Sequence, residues 1–316
     1  MTMSNETVLR KAEIAVGDMT DHGGILLPAQ AKQFMHMLAK ESVLLSRVTM
    51  VPMKAPKQQY TKIKMADRVL RAGREAVALH PDDYAKPSFA EIELDAKLFK
   101  AETHITYETL EDNIEGGTFQ QTIMQMMAEA IARDQEDLII NGDTKSADPF
   151  LKTMDGLLVQ SRRHVIDAQG KAINKDLLSN LLKILPAEQK RNKNKMCFLT
   201  GINAEQDYRS TLAERATAVG DKFLEGGTPI MAFGLPIMSV PLFPENLGAH
   251  QDQTHVLLCD PKNVFVGIWR QIRVKTAEDI SKGTVKVVTT MRFDVVLSEP
   301  EATAQGVNVS ALAASH

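Results

Sequence analysis

The chain has 316 residues, 44% hydrophobic and 24% charged, with a formal net charge of -3. That balance suits one large domain or about two ordinary ones, each with a real core, and excludes wholesale disorder. The charge excludes a strongly basic nucleic-acid coat, though not a local basic face. Two cysteines, Cys197 and Cys259, with no C-x-x-C spacing, exclude a disulfide framework and a zinc ribbon; free thiols fit assembly in a reducing cytoplasm.

No apolar run approaches the roughly 20 residues that span a bilayer. Residues 1–24 are polar and lack the apolar segment of a signal peptide, so the expectation is a soluble chain made in the cytosol. Methionine is abundant at 16 and aromatic residues are scarce at 5%. Methionine is adaptable, which suits either core filling or surfaces that must repack.

Residues 1–24 read as an extended arm. Pro28 opens a helix over 29–48, with Phe34, Met37, Leu38, Leu44, Leu45 and Val48 near helical spacing. Pro52 and Pro56 then end regular structure. Between 51 and 99 two stretches alternate with a period of two. In the first, Tyr60, Lys62 and Lys64 alternate with Thr61, Ile63 and Met65. In the second, Ile92, Leu94, Ala96 and Leu98 alternate with Glu91, Glu93, Asp95 and Lys97. A turn-rich middle with Gly73, Pro81 and Pro87 makes this a long hairpin with a loose tip. Its charges are segregated. Lys54, Lys57, Lys62, Lys64, Arg68, Arg71 and Arg74 lie on the first limb, and Glu75, Asp82, Asp83, Glu91, Glu93 and Asp95 on the second. The limbs could attract each other, or one could meet a charged neighbour subunit. An isolated two-stranded hairpin is marginal in water, so it should lie on something else.

Thr106 to Asn113 reads as a short helix. Thr118 to Asn141 is the strongest helix, capped by Thr118 and stopped at Asn141-Gly142, with Phe119, Ile123, Met126, Met127, Ala130 and Ile131 on its apolar face. Gly156 to Val159 is a short buried segment. Asn174 caps a leucine-rich helix stopped by Pro186, and a basic turn, Lys190 to Lys195, precedes a strand over 196–200. Asn203 and Gln206 stand at capping-box spacing before a helix ending near Ala218. Strands are expected at 237–240, 255–259, 264–268, 271–275, 284–290 and 293–297, followed by a small, polar tail after Pro300.

The chemistry-bearing signatures are missing. There is no phosphate loop, no dinucleotide-binding glycine fingerprint, no nucleophile elbow and no H-E-x-x-H. Gly116-Gly117 is crowded by Glu111, Asp112 and Glu115, which suits helix entry better than an anion. The eight histidines are scattered, and His250 with His255 is a weak pair for a metal. The acids at Glu108 to Glu115 fit the start of a helix better than acid/base work. Cys197 and Cys259 sit in apolar strands as buried, unreactive thiols. The basic turn lacks interleaved aromatics for base stacking. The expectation is no catalytic residue, no cofactor and no metal.

Particular stretches carry a resemblance. ITYETLEDN (Ile105 to Asn113), TFQQTIMQMMAEAIARDQEDLIINGD (Thr118 to Asp143), MDGLL (Met154 to Leu158) and GGILLPAQ (Gly23 to Gln30) resemble, in this order and spacing, segments of tailed-bacteriophage major capsid proteins with the Hong Kong 97-type fold. So do the closing strands from Arg270 to Ala302. The resemblance implies an α+β fold with an N-arm at 1–28, a first helix at 29–50 and an extended E-loop hairpin at 51–99. The first part of a P-domain would occupy 100–164, with a spine helix at 118–141. An A-domain would follow at roughly 165–269, with the tail at 301–316 either joining it or standing apart, and P-domain strands would occupy 270–300. It implies a structural protein that self-assembles into pentamers and hexamers of an icosahedral head around double-stranded DNA. It would reside in the virion, after assembly in the host cytoplasm. Implied partners are further copies of itself, a separate scaffolding protein (or none, since few residues precede the first helix), a portal, in some cases a decoration protein, and packaged DNA held non-specifically. The E-loop would cross a neighbour's P-domain through Lys62, Lys64, Arg68, Arg71, Arg74, Glu91 and Glu93. An encapsulin-like shell holding a cargo enzyme is the alternative, though the arm is too polar for its first helix. An ordinary α/β enzyme is weaker, because it leaves the long hairpin unexplained.

Overall fold

A computed structural model describes residues 44–65, 69–70, 72–73, 78, 80, 84–106, 119–213, 230–248, 250–269 and 273–311. The expected arm, the helix up to residue 43, the loose hairpin tip and the short helix over 107–113 lie largely outside them.

The hairpin forms as its alternation predicts. Strand β2 (Lys57–Met65) pairs antiparallel with β3 (Pro87–Asp95), Lys57 opposite Asp95 and Met65 opposite Pro87. Two expectations at its root change. Thr49–Met53 is a strand, β1, despite Pro52. It runs parallel to β10 (Val264–Trp269) at the rim of a sheet, where the lost N–H of a proline is tolerated. The second limb also stops at Ala96, and Lys97–Thr106 forms a separate strand, β4, that leaves the hairpin.

β4 joins the first sheet, ordered β1, β10, β12 (Thr284–Leu297) and β11 (Arg273–Asp279), with β4 also on β12. The stretches expected as two strands, 284–290 and 293–297, are one 14-residue strand, β12 (Thr284–Leu297). It alternates buried and half-buried residues along its second half. It pairs with β4 along one side and with β10 and β11 (Arg273–Asp279) along the other. The spine helix, α1 (Phe119–Asn141), packs on this sheet. At 1.5 Å per residue it is about 34 Å long. Its buried stripe is Met127, Ala128, Ile131, Ala132, Gln135, Leu138 and Ile139, whereas Met126, expected on that face, is 60% exposed. Helical phase decides this: the sheet takes the 127/131/135/138 row, and residue 126 lies about 100° away from 127.

The helix stops at Gly142 by close packing. A Cβ there would lie 2.5 Å from the Met154 carbonyl oxygen, and one at Gly156 would lie 2.8 Å from each of three backbone atoms. The Gly156 N–H bonds the Gly142 carbonyl at 2.8 Å. The segment after Gly156 is a one-turn helix, α2 (Leu157–Gln160). Gln160 donates to the Val295 carbonyl and accepts from the Leu297 N–H, which ties α2 to the end of β12.

The second sheet has six strands. In sequence they are β5 (Val165–Asp167), β6 (Cys197–Thr200), β7 (Met231–Ala232), β8 (Leu235–Ser239), β9 (Gln253–Cys259) and β13 (Ala304–Ser310). Their spatial order is β5, β13, β9, β6, β8 and β7. Sheet membership departs from chain order in two places. Val264–Trp269, expected with this half, belongs to the first sheet. The polar-looking tail contributes β13, which is central here, with Ala304, Gln305 and Val309 buried. Its small residues leave room for α3 (Lys175–Ile184): a Cβ on Gly306 would touch Leu177 and Leu181 at 3.5 Å. Asn174 caps α3 as its position predicts, accepting from the Leu177 N–H at 2.8 Å. Helix α4 (Ile202–Ala213) starts one residue before Asn203, so the capping box does not form. Glu245 caps it from a distant loop, accepting from the Asn203 backbone and side chain at 2.7 Å each.

The second sheet is a middle layer. Phe198, Val256, Leu258, Ala304 and Val309 face a core built with α3 and α4. Cys197, Leu199, Leu257 and Cys259 face the core that contains α1 and the first sheet. The alternation of each strand divides the two cores.

Candidate assembly interface

The candidate site is a surface, the hairpin that stands out from the first sheet. The hairpin β2–β3 has two unlike faces. On one, Ile92 and Leu94 are buried and Tyr60 is half-buried; Leu94 packs with Met53, Ala96, Val51, Trp269 and Val296 at the root. Gly267 makes this seat possible, since a Cβ there would meet a Leu94 methyl and the Met53 sulfur at 2.8 Å. The opposite face carries the cross-strand partners Gln59/Glu93, Thr61/Glu91, Ile63/Phe89 and Met65/Pro87, all exposed. Polar residues lie near the root and apolar ones farther out. Ile63, Met65 and Phe89 are 64%, 56% and 65% exposed. A pair of directly opposed large apolar side chains normally rests against something.

The root is fixed by polar contacts. The Asp95 N–H donates to Asp294 Oδ2 at 2.7 Å, and Lys97 pairs with Asp95 at 2.6 Å. Burial pushes the Asp294 carboxyl up, against the pull of its two backbone donors. The Ala96 N–H bonds the Pro56 carbonyl at 2.8 Å. Farther along, Lys62 forms an ion pair with Glu299 and donates to Ser298 Oγ at 3.2 Å, so the first limb is clasped to the residues after β12 of its own chain. Asn263 holds Glu299 in turn, exchanging two hydrogen bonds with its backbone. Arg292 lies over the Trp269 ring at 4.6 Å, and Phe99 stacks on Phe293 at 4.6 Å.

The seven residues expected at a neighbour contact separate on this geometry. Lys62 is engaged within the chain. Glu93 pairs with Lys57 across the strands at 2.5 Å, and that hydrogen bond holds its carboxyl below the usual range. The mutual attraction of the limbs is therefore realised at the root. Glu91 is exposed on the outward face. Lys64 lies in β2 opposite Ser88, with its side chain outside the described residues. Arg68, Arg71 and Arg74 also fall outside them. Ile63 lies in the alternating first limb, whereas Phe89 precedes the alternating run of the second, so only the strand register brings the two together.

A cleft of about 500 Å³ with mixed walls opens where the end of α1 meets α2 and the loop over 241–247, with Asp137, Asp143, Arg162, Glu245 and His255 beside Leu158 and Phe243. Burial, and then the Arg162 charge, push the His255 imidazole down to about 4, so it is neutral there. Among the described residues no group of three or more His, Cys, Asp or Glu is arranged to hold a metal ion.

Comparison with known proteins agrees with this architecture. The model of the phage capsid family matches residues 23–307. The chain is similar to a prophage capsid protein, YqbE, of Bacillus subtilis (strain 168), at 35% identity over 97% of this chain and 99% of that protein. Among solved structures it is similar to a chain of the satellite phage P4 procapsid, which includes the size determination protein. That likeness has a TM-score of 0.65 and 16% identity, and covers 98% of each chain. It is also similar to the SrpI encapsulin of Synechococcus elongatus PCC 7942, with a TM-score of 0.58 and 10% identity, over 100% of this chain and 99% of that one. The two structural likenesses show a shared α+β fold of the Hong Kong 97 type. The match to the family model and to the bacterial relative is what separates a capsid protein from a cargo shell.

Proposed function

We propose how the parts of this molecule serve a shell, from the premise that the chain belongs to the phage capsid family and is a structural major capsid protein, not an enzyme. The first sheet with α1 is the peripheral P-domain, the second sheet with α3 and α4 is the axial A-domain, and β2–β3 is the E-loop. Copies form pentamers and hexamers that close an icosahedral head around double-stranded DNA. A scaffolding protein, a portal and, in some heads, a decoration protein are the partners in that assembly, which takes place in the host cytoplasm.

One observation carries the intersubunit reading: the outward hairpin face with Ile63, Met65 and Phe89, solvated in the single chain and backed by a two-stranded sheet alone. A neighbouring copy is the natural cover. Burying such side chains contributes on the order of 2 kcal/mol each, and a closed shell repeats that contact over every subunit. The exposed Glu91 on the same face would set register against the neighbour's charges, and the sequence offers Lys64, Arg68, Arg71 and Arg74 as further charged partners.

The test replaces Ile63 and Phe89 together by glutamate and, separately, Arg68, Arg71 and Arg74 by glutamate. Sizing and negative-stain microscopy then follow, with the wild type alongside. The expected result is closed shells or capsomer rings from the wild type and folded, unassembled subunits from both variants. Normal particles from the Ile63/Phe89 variant would overturn the apolar contact. Normal particles from the arginine variant would overturn the charged one.

A further inference from the structure

We propose that Cys197 and Cys259 form a modification site, an oxidisable cross-strand pair that a peroxide converts to a disulfide joining β6 to β9. Apolar strand positions suit inert thiols, yet the fold puts the two face to face. They are register partners in the antiparallel pairing of β6 with β9, the first residue of one strand against the last of the other. Residues directly opposed in such a ladder have Cα atoms about 4.5 or 5.5 Å apart. Both spacings fall within the roughly 4.4–6.8 Å that a disulfide spans. Both side chains leave the same face, toward the α1 core, and both are free thiols. The thiols are hydrogen bonded to each other, which together with burial pushes Cys259 well up.

The two sulfurs are equivalent by position, each directly opposite the other in the ladder. With Cys197 2% and Cys259 0% exposed, a bulky disulfide reagent is excluded and a small peroxide is the fitting oxidant. One thiol sulfur attacks a peroxide oxygen, the O–O bond breaks, and the thiol proton leaves with the other oxygen, giving a sulfenic acid and water. The second sulfur then attacks the sulfenic sulfur. The S–S bond forms, the S–O bond breaks, and water leaves with the thiol proton. Two thiols lose two electrons and one hydrogen peroxide becomes two waters. The bond closes a loop that holds α4, β7 and β8, cross-linking the second sheet without moving its strands. A particle that leaves a reducing interior meets such oxidants only after its subunits have folded, so the staple does not interfere with folding. The chemistry of the pair does not depend on how the hairpin is used.

The experiment treats assembled wild-type protein with hydrogen peroxide, removes the peroxide with catalase, unfolds the chain in guanidinium with N-ethylmaleimide, and maps the peptides. Before oxidation both cysteines should carry the label. Afterwards the label should be lost from both, with a linked Cys197–Cys259 peptide that a reductant releases. The thermal midpoint should rise by several degrees and fall back on reduction. Cys197→Ser, run in parallel, should show no such rise, which separates the staple from methionine oxidation. Peptide mapping of the wild type decides the matter even if that variant folds poorly. Cysteines that stay fully labelled, separate sulfinic or sulfonic products at the two sites, or linkage between subunits would each overturn the proposal.

Discussion

His255 shows how burial of one side chain sets an acid limit. In the unfolded chain an imidazole takes up its proton near pH 6.5, whereas in the folded chain desolvation, helped by Arg162, holds it off until about 4. Above 6.5 neither state is protonated and nothing is lost. As pH falls from 6.5 to about 4 the unfolded state gains protons that the folded state refuses, so stability drops by on the order of 3 kcal/mol. Carboxylates held below their usual range, such as Asp279 at about 2 with its Lys286 partner, lose their contribution only below that window. Asp207 and Asp294, both pushed up, act in the opposite sense. Urea unfolding of the subunit at several pH values should therefore show a decline between pH 6.5 and 4 that His255→Gln largely removes. An equal decline in the variant would assign the acid sensitivity elsewhere.

At the scale of elements, two glycines determine where the spine helix ends. Gly142 and Gly156 bring backbone against backbone, and neither has a left-handed φ that would by itself demand glycine. Alanine at either position must push on carbonyl oxygens that cannot rotate away. Overpacking of this kind costs about 1–3 kcal/mol or more. Gly142→Ala and Gly156→Ala should each lower the urea midpoint of the isolated subunit. A substitution at Gly234, where a Cβ meets nothing within 4 Å but φ is +79°, should cost less, through backbone strain alone. If the three variants are equally stable, packing is not what ends the helix. The root of the hairpin follows the same logic, since Gly267 leaves the space that Leu94 fills.

For the whole molecule, the last strand matters most. β13 lies between β5 and β9 and contributes Ala304 and Val309 to the core beneath α3. A chain ended after Ala302 would expose the edges of β5 and β9 and the leucines of α3, an aggregation-prone surface. It should be insoluble or proteolysed on expression, while a chain ended after Ala311 folds. Soluble, cooperatively unfolding protein from the shorter chain would show that β13 is dispensable.

The sequence by itself determined the local elements: the period-two limbs of the hairpin, the spine helix, the Asn174 cap with its leucine helix, and the strands near 255–259 and 264–268. These depend on neighbours a few residues apart, where periodicity and capping act. Taken together, their order was enough to resemble the right family. Tertiary structure decided what depends on distant partners. It turned the phase of α1 so that Met126 faces solvent, admitted Pro52 into a rim strand, capped α4 with Glu245 and drew a polar tail into the middle of a sheet. It clasped Lys62 to Glu299 and left Ile63 and Phe89 exposed. Short-range pattern cannot say which face meets a neighbour, because burial is a property of the packed whole.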